Sequence, residues 1–337
     1  MEEIKYWIWF SRIENLTPKL QLDLLQKFNT PQKLWNKKEE ELIAQGISDK
    51  TVKKICDPKY KKDLDKYLEY MQKNKIELIN IYSKEYPSNL KQIYDPPVFL
   101  YIKGNKEILN KKSISIVGCR DCTAYGRNTA IKFAYNLSNN NINIVSGLAK
   151  GIDAYSHIGC LKGKAKTIAV VGCGLDRVYP EENRWIYNKI IASGGAIISE
   201  HIIGTKPLAQ NFPRRNRIIS ALSEALIVIE AKEKSGSLIT TDMALEQGRD
   251  VYALPGPVTS TLSQGCHRLI RQGAGILISP EEFLKELQIE VSENSTELLK
   301  NEKMLETTEK VVYSCLDLFP RNVSEIQVKT GLDARIL

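Results

Sequence analysis

Short runs of apolar, mostly β-branched residues recur along the middle of the chain, separated by stretches long enough to form helices. These runs do not alternate apolar with polar residues, which indicates strands that are buried on both faces. Such strands belong to a parallel sheet covered by helices on both sides. The pattern predicts strands at residues 113–117, 142–145, 167–171, 196–199, 225–229, 251–254 and 275–278. Residues from about 113 to 280 are therefore restricted to a parallel α/β fold.

Glycine-rich segments follow the predicted strands. The carboxyl ends of parallel strands meet at one edge of a sheet, where glycines permit close approach and helix N-termini attract anions. One glycine alone is compatible with an ordinary tight turn, but several such segments at one edge favour a phosphate site on a Rossmann-like domain. The segments are residues 118–120, 146–153, 172–180 and 230–237, the last with N–H groups at 235–237 that can face an anion.

The common phosphate-binding signatures do not occur in these segments. A dinucleotide site needs Gly-x-Gly-x-x-Gly after the first strand and an acidic residue at the end of the second. The first segment has only Gly118, and the second strand ends in Ser146-Gly147. Residues 159–165 resemble a P-loop but are one residue short, and Ala165 stands where the Mg²⁺-binding hydroxyl belongs. We therefore expect no NAD, no ATP hydrolysis and no other cofactor.

Residues that would carry a metal or a catalytic nucleophile are scattered. Cys119 and Cys122 form an isolated Cys-x-x-Cys, and the histidines lie far apart in the sequence. Asp153 and His157 are four residues apart on one predicted helix, but no serine or cysteine is tied to them. We expect no metal centre and no nucleophile–base pair.

An arginine-rich segment at residues 210–220 reads Gln-Asn-Phe-Pro-Arg-Arg-Asn-Arg-Ile-Ile-Ser. Arginine binds phosphate bidentately and aromatic faces stack on bases, so this loop suits a polymer of phosphates. The alternative is an ion-pair cluster with Glu200, Glu224 or Glu230.

The flanking regions predict further domains. Gly46 lies in a segment similar to a helix–hairpin–helix turn, for which a small helical bundle is the alternative. A net charge of +8 is compatible with a polyanionic partner. The lack of a signal layout or a long apolar run favours a cytoplasmic protein without a membrane segment. The predicted units are a helical domain at 1–75, an extended Rossmann-like domain at 76–287, an acidic linker at 288–308 and a truncated winged helix at 309–337.

A succession of motifs resembles the DNA-processing protein A family, also called DprA or Smf. The resemblance is dense from about residue 80 to 280 and looser in the N-terminal, SAM-like region and the partial winged helix. The family commonly has Gly-Ser-Arg where this chain has Gly118-Cys119-Arg120. The motifs are Gly-Cys-Arg at 118–120, Ser-Gly-Leu-Ala-Lys-Gly-Ile-Asp at 146–153, Gly-Cys-Gly-Leu-Asp at 172–176, Phe-Pro-Arg-Arg-Asn-Arg-Ile-Ile-Ser at 212–220, Ser-Gly-Ser-Leu-Ile-Thr at 235–240 and Gln-Gly-Arg-Asp-Val-Tyr-Ala-Leu-Pro-Gly at 247–256.

The resemblance implies a non-enzymatic role. Members of this family bind and protect single-stranded DNA as dimers and help load the RecA recombinase onto it during natural transformation. The DNA-binding residues that the motifs imply are Gly118, Arg120, Gly147, Lys150, Gly151, Phe212, Arg214, Arg217, Lys234, Ser235 and Gly236. The implied dimer surface includes Cys266, His267, Arg268, Leu269, Ile270 and Ile276, and the implied RecA-facing surface includes Asp242, Leu245 and Asp250.

Two other functions remain open from the sequence. Rossmann-like nucleotide hydrolases of the lysine-decarboxylase-like group use similar sheets; their Pro-Gly-Gly-x-Gly-Thr-x-x-Glu motif is missing, but residues 234–237 occupy a comparable place. The winged helix could instead bind duplex DNA. Its acidic charge and missing recognition helix favour docking of a partner protein.

Overall fold

The computed structural model describes residues 2–288, 312 and 322–333, which fall into two units, Met1–Ile289 and Glu290–Leu337. The helices of the first unit are α1 (Glu2–Arg12), α2 (Pro18–Phe28), α3 (Pro31–Trp35), α4 (Glu39–Ala44), α5 (Asp49–Cys56), α6 (Pro58–Lys61), α7 (Leu64–Lys73), α8 (Ser88–Lys91), α9 (Ala124–Asn139), α10 (Ile152–Leu161), α11 (Arg184–Ala192), α12 (Asn211–Ala221), α13 (Gly236–Glu246), α14 (Gln264–Arg271) and α15 (Pro280–Glu286). Two 3₁₀ helices lie at Lys106–Asn110 and Glu181–Asn183. The strands are β1 (Ile76–Asn80), β2 (Phe99–Gly104), β3 (Ser113–Gly118), β4 (Asn143–Ser146), β5 (Thr167–Val170), β6 (Ala196–Ser199), β7 (Ala225–Ile229), β8 (Asp250–Ala253) and β9 (Gly275–Ile276).

One sheet runs through the first unit in the order β1-β2-β6-β5-β4-β3-β7-β8-β9. The strands from β3 to β9 pair in parallel, which confirms the predicted α/β class. The strands at 196–199 and 225–229 match the prediction in full, whereas β9 ends two residues before the predicted position 278. The run Pro-Pro-Val-Phe-Leu-Tyr-Ile at 96–102 indicates an extended strand, and β2 overlaps it. The antiparallel pairing of β2 with β1 at one edge of the sheet was not predicted.

Alternate residues of β2 belong to two separate cores, one on each face of the sheet. Phe99 and Tyr101 pack into a core that they share with the N-terminal helices. Leu100 and Ile102 pack into the core on the opposite face. Because successive strand side chains point to opposite faces, one strand joins both cores. The chain passes from helices to the sheet at residue 76, the predicted domain boundary, and both parts belong to one compact unit.

Threonine side chains cap two of the N-terminal helices. The side chain of Thr17 accepts a hydrogen bond from the Leu20 N–H at 3.3 Å and caps α2, and Thr30 caps α3 in the same way. Gly46, at φ +75°, lies in the turn between α4 and α5. Two helices therefore enclose the predicted turn, while its assignment as a helix–hairpin–helix motif and its binding of nucleic acid stay predictions.

In the second unit, α16 (Val323–Thr330) begins at a capping box of Asn322 and Glu325 and ends at Gly331, whose φ is +69°. This helix lies within the segment predicted to be a truncated winged helix. The predicted linker lies outside the described residues, apart from residue 288. Residues 309–321 and 334–337 of the predicted winged helix also lie outside them, apart from residue 312. No helix within the described ranges is long and apolar enough to span a bilayer.

Candidate nucleic-acid interface

A cleft of about 530 Å³ opens at the carboxyl ends of β3 and β7. In the strand order of the sheet, β4, β5 and β6 lie on one side of β3, and β7 lies next to β3 on its other side. The strand order therefore reverses at β3. Ligands of open α/β sheets bind at such a switch point. All four glycine-rich segments meet at its walls, represented by Gly118, Ala149, Tyr179 and Gly236.

Two of the predicted contact glycines are needed for packing within the chain. A Cβ atom at Gly118 would lie 1.9 Å from the Ile229 carbonyl oxygen. Gly151 has φ +72°, and a Cβ there would lie 2.3 Å from the Arg120 carbonyl oxygen. The segment after β3 therefore packs backbone against backbone on the end of β7 and on the segment after β4. Arg120 is exposed at this junction, and it makes no ion pair with any described residue.

Arg215 closes the floor of the cleft and is only 4% exposed. Its Nη1 donates a hydrogen bond of 2.6 Å to the Gly147 carbonyl and another to the Val170 carbonyl. Burial lowers the pKa of Arg215 to about 10, so the side chain is charged at neutral pH. Burial raises the pKa of Asp153, and the nearby Arg215 charge opposes that shift. A fixed positive charge therefore lies beneath the cleft.

The arginine-rich segment at 210–220 forms almost the whole of α12 (Asn211–Ala221) and is not a loop, contrary to the expectation from the sequence. Arg217, a predicted DNA contact, is 4% exposed and forms ion pairs with Asp95 at 2.9 Å and Glu200 at 2.6 Å, so its side chain is not at the surface. The ion-pair alternative holds for this arginine. Arg214 is exposed and lies 3.6 Å from Glu200.

Glu224 and Glu230, the other two glutamates considered as ion-pair partners of the arginine-rich segment, contact other residues. Glu224 pairs with Lys112 at 3.3 Å. Glu230 is buried and accepts hydrogen bonds from the backbone N–H of Thr123, at 2.8 Å, and from its hydroxyl. Glu230 thereby anchors the start of α9.

An aromatic pair lines the cleft beside these charges. The Phe212 and Tyr179 ring centroids are 5.4 Å apart, with the ring planes inclined by 34°. Tyr179 is 42% exposed. The Arg120 guanidinium carbon lies 5.9 Å from the Phe212 ring centroid. This arrangement offers an aromatic face next to cations, the combination on which nucleic-acid bases stack.

The opposite wall is the start of α13. Ser235 caps this helix by accepting a hydrogen bond from the Ser237 N–H at 3.2 Å. Gly236 faces open space, since a Cβ there would meet nothing within 4 Å. Lys232 and Lys234 are exposed and form no ion pair with described residues. The helix N-terminus and the two lysines make this wall electropositive.

The site contains no activated nucleophile among the described residues. His157 is fully buried, and its Nδ1 lies 2.6 Å from the Thr167 hydroxyl. Burial lowers the pKa of His157 to about 3, so it is neutral. Burial also raises the pKa values of Cys119 and Cys122, which keeps both thiols protonated. No group of three or more potential metal ligands occurs in the described part of the chain.

A model of the family described as DNA recombination-mediator protein A matches residues 77–288. The chain belongs to this family. This confirms the resemblance drawn from the motifs, and the match covers the sheet and every wall of the cleft.

Individual relatives agree with this membership. The DNA processing protein DprA of Streptococcus pneumoniae is 45% identical over 203 residues, covering 60% of this chain and 71% of the relative. The Bacillus subtilis DprA is 46% identical over 213 residues, covering 63% and 71%. The X-ray structure of the S. pneumoniae protein matches with a TM-score of 0.68 and 36% identity over 84% of this chain and 97% of that one. DNA processing protein A of Helicobacter pylori, whose structure describes a single-stranded DNA binding mode, matches with a TM-score of 0.58 and 29% identity over 63% and 95%.

The residues of the implied dimer surface differ in exposure. Ile276, on the edge strand β9, is 48% exposed, and His267 and Ile270 are half-buried. Leu269 is buried in the core of its own chain, so its side chain supports the surface from beneath. The implied RecA-facing residues Asp242, Leu245 and Asp250 are all exposed.

Arg215, Tyr179 and Lys232 line the cleft but were not selected as site residues from the sequence. Tyr179 lies in the glycine-rich segment 172–180, Lys232 in the segment 230–237, and Arg215 in the motif at 212–220. The aromatic pair that joins Tyr179 to Phe212 connects positions 33 residues apart (212 − 179). Only the fold brings them together.

Proposed function

We propose that this protein binds single-stranded DNA in the strand-end cleft as a homodimer, protects it, and helps load RecA onto it during natural transformation and recombination. The observation that carries the proposal is an aromatic face beside cations that form no ion pair with described residues. Arg120, Lys232 and Lys234 supply the cations, and Phe212 with Tyr179 supplies the face.

The arrangement suits a strand rather than a mononucleotide. Cations occupy both walls of the cleft, and Lys150 and Arg214 are further exposed cations, each near a glutamate. Backbone phosphates spaced along a strand can meet several of these charges at once, while a base stacks on the aromatic pair. No element of this arrangement selects one base, so we expect binding that tolerates sequence. The single-stranded DNA binding mode of the H. pylori relative supports the proposal.

The number of cations sets the expected salt dependence. For single strands the slope of log K against log salt is about −0.7 per phosphate neutralised. Contacts by Arg120, Lys232 and Lys234 alone correspond to a slope of about −2, and additional contacts by Lys150 and Arg214 to about −3.5.

Fluorescence anisotropy with a labelled oligonucleotide tests the proposal. Arg120→Ala and Lys234→Ala should each weaken binding to any single-stranded sequence and reduce the slope by about 0.7. Lys164→Ala is the matched control, because it removes an exposed lysine that lies just before β5. This lysine lies at the amino ends of the parallel strands, whereas the cleft lies at their carboxyl ends. Absence of binding at low salt, or equal effects of all three substitutions, would overturn the assignment of the cleft.

Nucleotide hydrolysis is the competing chemistry for the same cleft. The protein should release no free base from nucleoside monophosphates, because the described site residues include no activated nucleophile. Chromatography of the incubated mixture detects this reaction, and turnover that is lost in Lys234→Ala would replace the binding proposal.

The dimer is tested separately. Ile276→Arg places a charge on the exposed edge strand and should shift the protein to a monomer in sedimentation velocity. An unchanged sedimentation coefficient would place the dimer interface elsewhere or show that the protein is monomeric.

A further inference from the structure

Trp185 presents a large aromatic face to solvent near the DNA cleft. It is 51% exposed, whereas Trp7 and Trp9 are buried and Trp35 is half-buried. Trp185 is the second residue of α11, and Ile186 on the same helix is buried. Isolated exposed apolar side chains are common on protein surfaces, so the significance of Trp185 depends on its surroundings.

The start of α11 is fixed to the strand-end segment after β4. The Asn183 side-chain amide donates hydrogen bonds of 2.9 Å and 3.0 Å to the carbonyls of Leu148 and Ala149. Glu182 forms an ion pair of 2.6 Å with Lys150. These contacts hold the helix turn that carries Trp185 beside the predicted DNA contact Lys150.

A shallow recess of about 60 Å³ leads from the cleft toward this turn. Arg120, Phe212 and Arg215 line both the cleft and the recess. Tyr179 also lines both, while Lys150 lines the recess alone. The recess therefore continues the aromatic and cationic surface of the cleft in the direction of α11.

The helix turn that carries Trp185 includes Arg184 and is joined to Lys150, and each of these two cations pairs with an exposed glutamate. Lys150 pairs with Glu182, and Arg184 donates to Glu181 at 2.8 Å through its Nη2. All four side chains are more than half exposed, and ion pairs of this kind are weak. A DNA phosphate can therefore compete with the glutamates for either cation.

We propose that Trp185 is a second stacking platform, on which a base of the strand leaving the cleft past Lys150 is held. The inference rests on the proposed single-strand binding and extends its site by at least one nucleotide. The occupant is a nucleic-acid base, since the turn that carries Trp185 contains Arg184 and is joined to Lys150, which lines the recess beside the cleft.

Oligonucleotide length separates the platform from the cleft. Stacking on an aromatic side chain corresponds to roughly a 5-fold change in affinity or more per base. Trp185→Ala should weaken binding of an oligonucleotide of about 16 nucleotides by that factor and leave one of about 4 nucleotides unchanged, these being the limits of common site sizes. Trp185→Phe should retain most of the affinity for the longer strand. Trp185→Leu, which keeps an apolar side chain without an aromatic face, should not.

Equal binding of the longer strand by the wild type and Trp185→Ala would overturn the inference, as would full retention by Trp185→Leu. If Arg120→Ala still weakens binding in that case, the proposed function stands without the platform. If the wild type binds no single strand, both fail. Retained DNA affinity with impaired RecA loading in Trp185→Ala would assign the indole to a protein partner instead.

The fluorescence of Trp185 gives an independent readout. As the most exposed of the four tryptophans, it should dominate quenching by an aqueous quencher such as acrylamide. Binding of the longer oligonucleotide should protect it, and this protection should disappear in Trp185→Ala. Unchanged accessibility of the indole in the DNA complex would contradict the platform.

Discussion

Replacing Arg215 with methionine removes a buried guanidinium from the floor of the cleft. The guanidinium donates hydrogen bonds to the buried carbonyls of Gly147 and Val170. A hydrogen bond to a charged group contributes about 1.5–3 kcal/mol, so losing both should lower the free energy of unfolding by about 3–6 kcal/mol. Urea unfolding followed by circular dichroism measures this loss.

The loss should depend on pH through Asp153, which is buried near Arg215. The positive charge of Arg215 holds the pKa of Asp153 lower than burial alone would set it. Without that charge the pKa rises further above the unfolded value of about 3.9. A carboxyl group with a pKa raised on folding stabilises the folded state below the unfolded pKa, and this contribution is lost as the pH rises through the folded pKa. The stability deficit of the variant should therefore grow as the pH rises above the pKa that Asp153 has in the folded wild type, which itself lies above the unfolded value of about 3.9.

Two further variants make this test specific. Arg214→Met changes an exposed neighbour on the same helix and should alter stability by no more than about 0.5 kcal/mol. Arg215→Lys keeps a positive charge near Asp153 without the guanidinium fork, so it should lose stability but show a weaker pH dependence. A deficit in Arg215→Met as small as that of Arg214→Met, or one independent of pH, would refute the reasoning.

Three other substitutions test separate parts of the structure. Gly118→Ala places a methyl group 1.9 Å from a carbonyl oxygen and should cost about 3 kcal/mol or more in urea unfolding, whereas Gly236→Ala, with open space around its Cβ, should not; equal costs would contradict the packing argument. Glu182→Gln releases Lys150 and should tighten single-strand binding in anisotropy titrations; unchanged affinity would show that Lys150 does not meet DNA. Leu245→Arg, on an exposed face, should slow RecA assembly on DNA without changing DNA affinity, and normal assembly would remove that surface from RecA binding.

The strands could be predicted because their burial imposes a simple pattern. Each residue of β7 is buried, so Ala225–Ile229 contains no polar position to blur its limits. β9 is two residues long and lies at the sheet edge with Ile276 exposed, and its predicted end was wrong by two residues. β1 pairs with β2, and β2 pairs with β6, so the antiparallel edge depends on contacts between distant segments that the local sequence of β1 does not specify.

The candidate site could be predicted only in part, because charge and sequence order do not specify burial. Three arginines occur within four positions, and a helix turns by about 100° per residue, so they face different directions. Arg214 faces solvent, Arg215 lies under the cleft, and Arg217 meets Asp95 from a distant segment. Pro213 favours a loop from sequence alone, but in α12 it lies in the first turn, where proline is tolerated.

Cross-linking tests most directly whether the strand-end cleft holds the DNA. A single-stranded oligonucleotide containing bromodeoxyuridine, irradiated in complex with the wild-type protein, marks the side chains that touch its bases. Mass spectrometry should locate the cross-links at Phe212, at Tyr179 and in the wall around Gly236. Cross-links confined to the helices of residues 1–75 would contradict the account and place the DNA on another surface.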